Sequence, residues 1–319
     1  MKKSYLMMAA AATMLAACTQ TDIVQEVNTQ QAIGFETFAG KATRHMSSTA
    51  LNDFHQTFGV YGWENDNNFM LNYKASYDGT TIWDYDSETG QDLKYWDNSA
   101  VYQFHAVAPY NANVTCTKAG VVTIPEAANA TAATQNLQTG ISTSLTESAF
   151  STDTDWLYAS EKDYKMTDGE TVGFAFSHMM SKLVVAVQKQ GTEAIKITSV
   201  TVKGNIYSKA TFNGTVWAGN TIVDLAGRTG TVSGENTPNY VMEYLIVPTA
   251  AANLTFSMEY TVNDVPKSVT DVAVTGITEF AAGTYYTLNA NIGLAPIQFS
   301  ASLTPWTEPG TPGSVTVQQ

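Results

Sequence analysis

From residue 31 onward the chain is written in short runs of alternating apolar and polar residues, bounded by Gly, Asn, Asp and Pro. No long segment carries an apolar stripe of period 3.6, so the pattern predicts an all-β chain. The predicted strands in the first half are Ala32 to Phe38, Phe58 to Trp63, Asn72 to Tyr77, Thr81 to Tyr85 and Val101 to Ala108. In the second half they are Thr171 to Phe176, Lys182 to Val187, Ile195 to Val202, Lys209 to Phe212, Thr215 to Trp217, Tyr240 to Val247, Leu254 to Val262, Tyr285 to Ile292 and Ile297 to Leu303. Asn213-Gly214 sits between two of these runs as a type I′ hairpin turn would. Strands at this spacing fit a sandwich.

Residues 126 to 150 are rich in Ala, Thr, Asn and Ser and read as a long loop, with room for a short helix. The charged stretch Glu161 to Glu170 lacks a sustained apolar face and is read as an inter-domain boundary. The chain then divides into a leader (1–17), a tether with a first strand (18–44), an N-terminal domain (45–167) and a C-terminal domain (168–319). At 319 residues it is long enough for two domains of ordinary size.

Charge narrows the range of partners. Charged residues make up only 14% of the chain, while 44 threonines fit the β reading. With 16 Lys and Arg against 29 Asp and Glu, the net charge is −13. Such a chain is repelled by nucleic acid and by anionic headgroups alike. Membrane contact is therefore expected only through covalent lipid.

The N-terminus supplies a place for that lipid. Lys2-Lys3, an apolar stretch from Leu6 to Leu15 and then Leu15-Ala16-Ala17-Cys18 form a leader too short to span a bilayer. The last four residues resemble the bacterial lipobox, which implies export, cleavage before Cys18 and acylation of its thiol. The polar run through Gln31 then reads as a flexible tether. Cys116 is left without an intrachain partner and is expected to be a buried, unreactive thiol.

Catalytic chemistry finds little support. His45, His55, His105 and His178 are far apart, with no HExxH and no paired CxxC to hold a metal. GxSxG, GxGxxG and GxxxxGK[ST] are absent. Asp84-Tyr85-Asp86-Ser87-Glu88-Thr89-Gly90 approaches a calcium loop, but its glycine is one place late and Tyr95 stands where the distal Glu should be. A solvated turn is the better reading. No cofactor is expected, and the chain is not read as an enzyme.

Several segments taken in order resemble the fimbrillin family, the type V pilin lipoproteins, in its Mfa-like branch. They are the lipobox, Ile33 to Phe38 followed by Gly40 to Arg44, Phe58-Gly59-Val60-Tyr61, and Tyr95-Trp96 with Tyr102 to Pro109. Asp155-Trp156-Leu157-Tyr158-Ala159, Phe176 to Leu183, Ala282 to Tyr286 and Pro305-Trp306 complete the order.

The resemblance implies two tandem transthyretin-like β-sandwich domains and a structural role in a surface fimbria. It also implies a precursor lipidated at the outer membrane, an arginine-specific protease that removes the first strand, and a strand from another subunit that fills the groove. Mapped onto this chain, cleavage falls after Arg44, since Arg228 is the one other arginine. The removed strand carries Ile33, Phe35 and Phe38. The donor candidate is the short tail through Val315 and Val317, with Ile297 to Leu303 as a further candidate segment. Partners are other pilin subunits, the protease and an unspecified host or bacterial surface ligand. Stalk and tip roles both remain open.

A different class of function stands beside this one. Trp63, Trp83, Tyr85, Tyr95, Trp96 and Tyr102 are concentrated in one third of the chain. Exposed together, they would form a stacking platform for a lipid-anchored surface glycan-binding protein.

Overall fold

A computed structural model describes residues 31–38, 57–77, 83–85, 90–125, 133–135, 139–144, 155–168, 171–250, 252–293 and 298–305. The expected leader, Cys18, Arg44, Val315 and Val317 lie outside these residues, as do residues 86–89 of the acidic turn.

The described chain is built from strands. Its first half carries β1 (Gly34–Phe38), β2 (Thr57–Glu64), β3 (Asn67–Tyr77), β4 (Trp83–Asp84), β5 (Tyr102–Ala108), β6 (Thr115–Cys116), β7 (Val122–Thr123), β8 (Ala133–Gln135) and β9 (Leu157–Tyr164). There follow β10 (Thr171–Ala175), β11 (Ser177–His178), β12 (Ser181–Lys189), β13 (Ile195–Lys203), β14 (Ala210–Phe212), β15 (Trp217–Gly219) and β16 (Leu225–Ala226). The last are β17 (Gly230–Thr231), β18 (Asn239–Ile246), β19 (Thr255–Val262), β20 (Val265–Ala273), β21 (Thr284–Ile292) and β22 (Gln298–Pro305).

Three sheets carry most of them. The first has the order β10-β1-β4-β3-β2-β5-β9-β11, the second β22-β21-β12-β18-β8, and the third β16-β13-β19-β20 with β17 also on β13. Strand β12 reads SKLVVAVQK, and its first seven residues are all buried. A continuous apolar run of that kind suits the centre of a sheet, where β12 pairs parallel to β21 and antiparallel to β18. In β13 the buried positions change phase from Ile195 and Ile197 to Val200 and Val202. The register against β19 slips between Ile197 and Ser199, and that bulge turns both halves of the strand inward.

The cores follow the sheets. Leu183, Val185, Leu288 and Ile292 from the second sheet pack with Ile195, Val202, Phe256 and Met258 from the third. Another cluster gathers Phe35, Phe58, Phe104, Leu157 and Phe174 on one face of the first sheet, which curls far enough for β1 to touch β5. A third joins Tyr61, Trp63 and Cys116 to Met180, Ala210 and Val247. Strand β11 ends the first sheet at His178 and β12 begins in the second at Ser181, while the earlier β8 also belongs to the second sheet.

Several expectations are corrected. Glu161 to Tyr164 is not a boundary segment but the end of β9, paired to β5 with Glu161 opposite Phe104. The 126–150 stretch contains strand β8, which is held by backbone pairing to β18 and so leaves no apolar signature. Strand β20 is absent from the predicted strands because it is mostly exposed. It is folded back on β19 by Asn263 and Asp264, both at positive φ. The loop at Asn213-Gly214 has four residues rather than two, since Phe212 pairs with Trp217. The Asn213 carboxamide oxygen accepts from the amides of Thr215 and Val216, which removes both from the ladder.

The aromatic platform is core instead. Trp63, Trp83, Tyr85, Trp96 and Tyr102 are all buried, and only Tyr95 is exposed. Their rings pack on one another and on neighbours, as with Phe58 on Trp83 at 4.5 Å and Trp96 on Tyr102 at 4.8 Å between centroids. A platform needs these faces in solvent, and burial removes it.

Candidate strand-exchange site

Strand β1 is an interior strand of the first sheet. Gly34 to Phe38 pairs residue for residue with Thr171 to Ala175 of β10, in parallel, and Phe35 pairs with Trp83 of β4 on the other side. Just ahead of it, the Ile33 amide donates to the Lys94 carbonyl at 2.9 Å and the Trp96 amide to the Gln31 carbonyl at 2.9 Å. The Tyr85 hydroxyl donates to the Ile33 carbonyl at 3.1 Å. Residues 31 to 38 are thus sewn in along both edges.

Period two selects the inward residues. Ile33, Phe35 and Thr37 are buried at 1%, 3% and 6% exposure. Phe35 sits in an aromatic box, 5.4 Å from Tyr85, 6.0 Å from Phe104 and 5.7 Å from Phe174 between ring centroids. Burying Ile33 and Phe35 contributes about 1.5–3 kcal/mol each by transfer alone. The Phe38 backbone pairs with Ala175, while its side chain is outside what the structure describes. Thr37 is not among the expected inward residues because a hydroxyl gives no apolar signal. Its Oγ1 is buried with no hydrogen-bond partner among the described residues.

Carboxylates flank the strand. Glu36 is half-buried on the other side of β1, and loss of solvent raises its pKa. Burial likewise raises Glu161 and Tyr164, with Asp168, Glu161 and Glu36 adding to the effect on Tyr164. The Tyr164 hydroxyl donates to the Thr171 carbonyl at 2.9 Å, which ties β9 to the start of β10.

Other singled-out residues have structural roles. Cys116 is buried and its thiol is pushed up to about 12 by that burial, so it stays protonated. His178 ends β11 with Nδ1 at 2.7 Å from Asp155 Oδ2. Among the described residues no group of three His, Cys, Asp or Glu is placed to hold a metal ion. No helix there is long and apolar enough to cross a membrane. Strand β22 (Gln298–Pro305), which includes Gln298 to Leu303 of the second donor candidate, lies at the edge of the second sheet, antiparallel to β21.

Comparison with known proteins decides the family. The family profile described as fimbrillin-like matches residues 43–306. This chain belongs to the fimbrillin-like family. Membership makes it a fimbrial type of subunit of the cell surface. Strand β1 lies ahead of the matched region. No curated protein sequence matches.

Two solved structures share the fold. A candidate cell adhesion protein from Bacteroides ovatus superposes with a TM-score of 0.54 at 14% identity, over 88% of this chain and 99% of that one. Another from Bacteroides uniformis gives 0.51 at 19%, over 87% and 100%. The tip fimbrial protein Mfa3 of Porphyromonas gingivalis, truncated at its C-terminus, gives 0.42 at 10%, over 79% and 94%.

Proposed function

We propose that this fimbrillin-like chain is a stalk or tip pilin that matures by losing β1 and assembles by strand exchange. The precursor is exported, lipidated at Cys18 and held at the outer membrane until an arginine-specific protease cuts after Arg44. The two tandem transthyretin-like domains then enter a surface fimbrium that supports adhesion. The donor is the tail bearing Val315 and Val317 of another subunit.

The observation that carries this reading is the seat of β1. The strand lies between β10 and β4, yet it is joined to the rest of the chain only through the segment that contains Arg44. Its loss would uncover a groove walled by β10 and β4 and floored by Tyr85, Phe104 and Phe174. An open groove of that kind exposes unpaired backbone on both sides, and an added strand restores the ladder without nucleotide or metal.

The competing arginine is protected. Arg228 is buried, and its amide donates to the Val241 carbonyl at 2.7 Å. Limited digestion of the full chain with an arginine-specific protease is expected to give one cut, after Arg44, by intact mass. Loss of the fragment through Arg44 and growth of an SDS-resistant ladder should follow. A cut chain that keeps its first strand and stays monomeric would refute strand exchange. Deleting Ser314 to Gln319 tests the donor, because an unchanged ladder would remove the tail from that role.

A further inference from the structure

A second site lies away from the β1 groove. Hairpin β14–β15 closes one side of a cleft of about 740 Å³, and His178, Met179, Thr249 and Phe280 close the other. That volume falls within the usual range for small-ligand pockets, about 300–1,000 Å³.

Its walls are aromatic and held in place. Trp217 Nε1 donates to the Met179 carbonyl at 3.0 Å, and Phe212 leans on the Trp217 ring at 5.1 Å between centroids. Tyr207 lies directly over Gly219, where a Cβ would meet ring carbons at 2.0 to 2.4 Å. Gly219 is therefore what lets the Tyr207 ring lie close against the hairpin. Tyr207, Phe212 and Trp217 pack on the third core cluster yet are only partly buried, so each ring has both a fixed back and an open part. Val216 and Ala218 extend the exposed rim.

The polar groups restrict the ligand. Ser177, Thr215 and Thr249 bring hydroxyls, and the exposed Glu279 brings a carboxylate. Among the described residues no Lys or Arg lines the cleft, and its histidine, His178, is engaged by Asp155 at 2.7 Å. With the net charge of −13, an anionic ligand is disfavoured. Apolar ring faces beside hydroxyl and carboxylate groups match a molecule that has an apolar C–H face and a fringe of hydroxyls.

The geometry points to a binding site for neutral saccharides in the cleft between hairpin β14–β15 and the segments at His178, Thr249 and Phe280. This goes beyond the pilin reading and does not depend on strand exchange. A chain that binds sugar yet never polymerises would keep this site and overturn the other proposal.

The test is calorimetric titration of the full chain with neutral trisaccharides of glucose, mannose, galactose and N-acetylglucosamine. Sialyllactose and an alternating Thr-Val hexapeptide serve as comparators. The expected result is saturable binding of at least one neutral trisaccharide, weakened tenfold or more by Trp217→Ala. Ala218→Trp should weaken it equally by filling the exposed rim without removing any packing. The site is refuted if no neutral trisaccharide saturates, if only sialyllactose or the hexapeptide binds, or if Ala218→Trp binds as the unaltered chain does.

Discussion

The ring of Phe35 stacks on that of Phe174, 24° from parallel with centroids 5.7 Å apart, across the parallel pairing of β1 and β10. An inward side chain of the first strand is thus held by the strand that would become one wall of the groove. Phe35→Ala removes all three ring contacts and leaves a cavity, at a cost of about 3–5 kcal/mol. Urea unfolding of the uncleaved chain should show that loss. After removal of the first strand the same substitution is absent from the body, so the midpoints of the two cleaved proteins should coincide.

Thr37 sets the opposite balance. Its Oγ1 is buried without a hydrogen-bond partner among the described residues, and an unsatisfied hydroxyl costs about 1–3 kcal/mol. Thr37→Val keeps the shape and removes the hydroxyl. The expected outcome is a more stable precursor, by about 1 kcal/mol, and slower release of β1 after cleavage. Faster release would show that the hydroxyl holds the strand in place.

Much of the fold is legible in the sequence where burial follows period two. Ile33 and Phe35 alternate with Gly34 and Glu36, and both are buried. Strand β12 is legible for a different reason, since its unbroken apolar run requires cover on both faces. The failures have equally physical causes. Strand β20 is mostly exposed and is positioned by turn and backbone bonds, which pattern does not record. The aromatic cluster from Trp63 to Tyr102 is ambiguous because composition cannot distinguish a core from a platform. The partners of Trp217 come from Met179 and Phe212, and the contact with Met179 spans 38 positions of sequence.

The second sheet contains a buried charge network. Lys182 Nζ lies 2.6 Å from Glu243 Oε1, with both side chains almost fully buried, and 5.5 Å from the Tyr285 ring centroid. Arg228 also feels the Glu243 carboxylate, which opposes the lowering of its pKa by burial. Removing Glu243 takes the nearby carboxylate from two buried cations, whereas removing Lys182 leaves the carboxylate near Arg228. Glu243→Leu should therefore cost about 3–5 kcal/mol and Lys182→Met distinctly less. Because Arg228 remains, Lys182→Met with Glu243→Leu should not recover full stability. Thermal melts of the three variants would establish the order, and full recovery in the double variant would remove Arg228 from the network.

His105 makes the stability of the first sheet depend on pH. It is fully buried in β5, with Nε2 at 3.1 Å from the Lys118 carbonyl and Nδ1 at 2.7 Å from the Tyr158 hydroxyl. Burial lowers its pKa, the Lys118 carbonyl partly offsets this, and the Lys162 charge lowers it further. The unfolded chain binds a proton near pH 6.5, whereas the folded chain resists it until lower pH. The stabilisation is present above about pH 6.5 and is lost as pH falls toward the folded value, by at most about 1.4 kcal/mol per pH unit for one group. The raised carboxyls of Glu36 and Glu161 act in the opposite direction, since the folded chain takes up their protons first. Comparing His105→Gln with the parent in urea at pH 7.5 and 5.5 isolates the histidine. The parent should lose more stability between the two conditions than the variant does, and equal losses would show that His105 takes up its proton as readily in the folded chain as in the unfolded one.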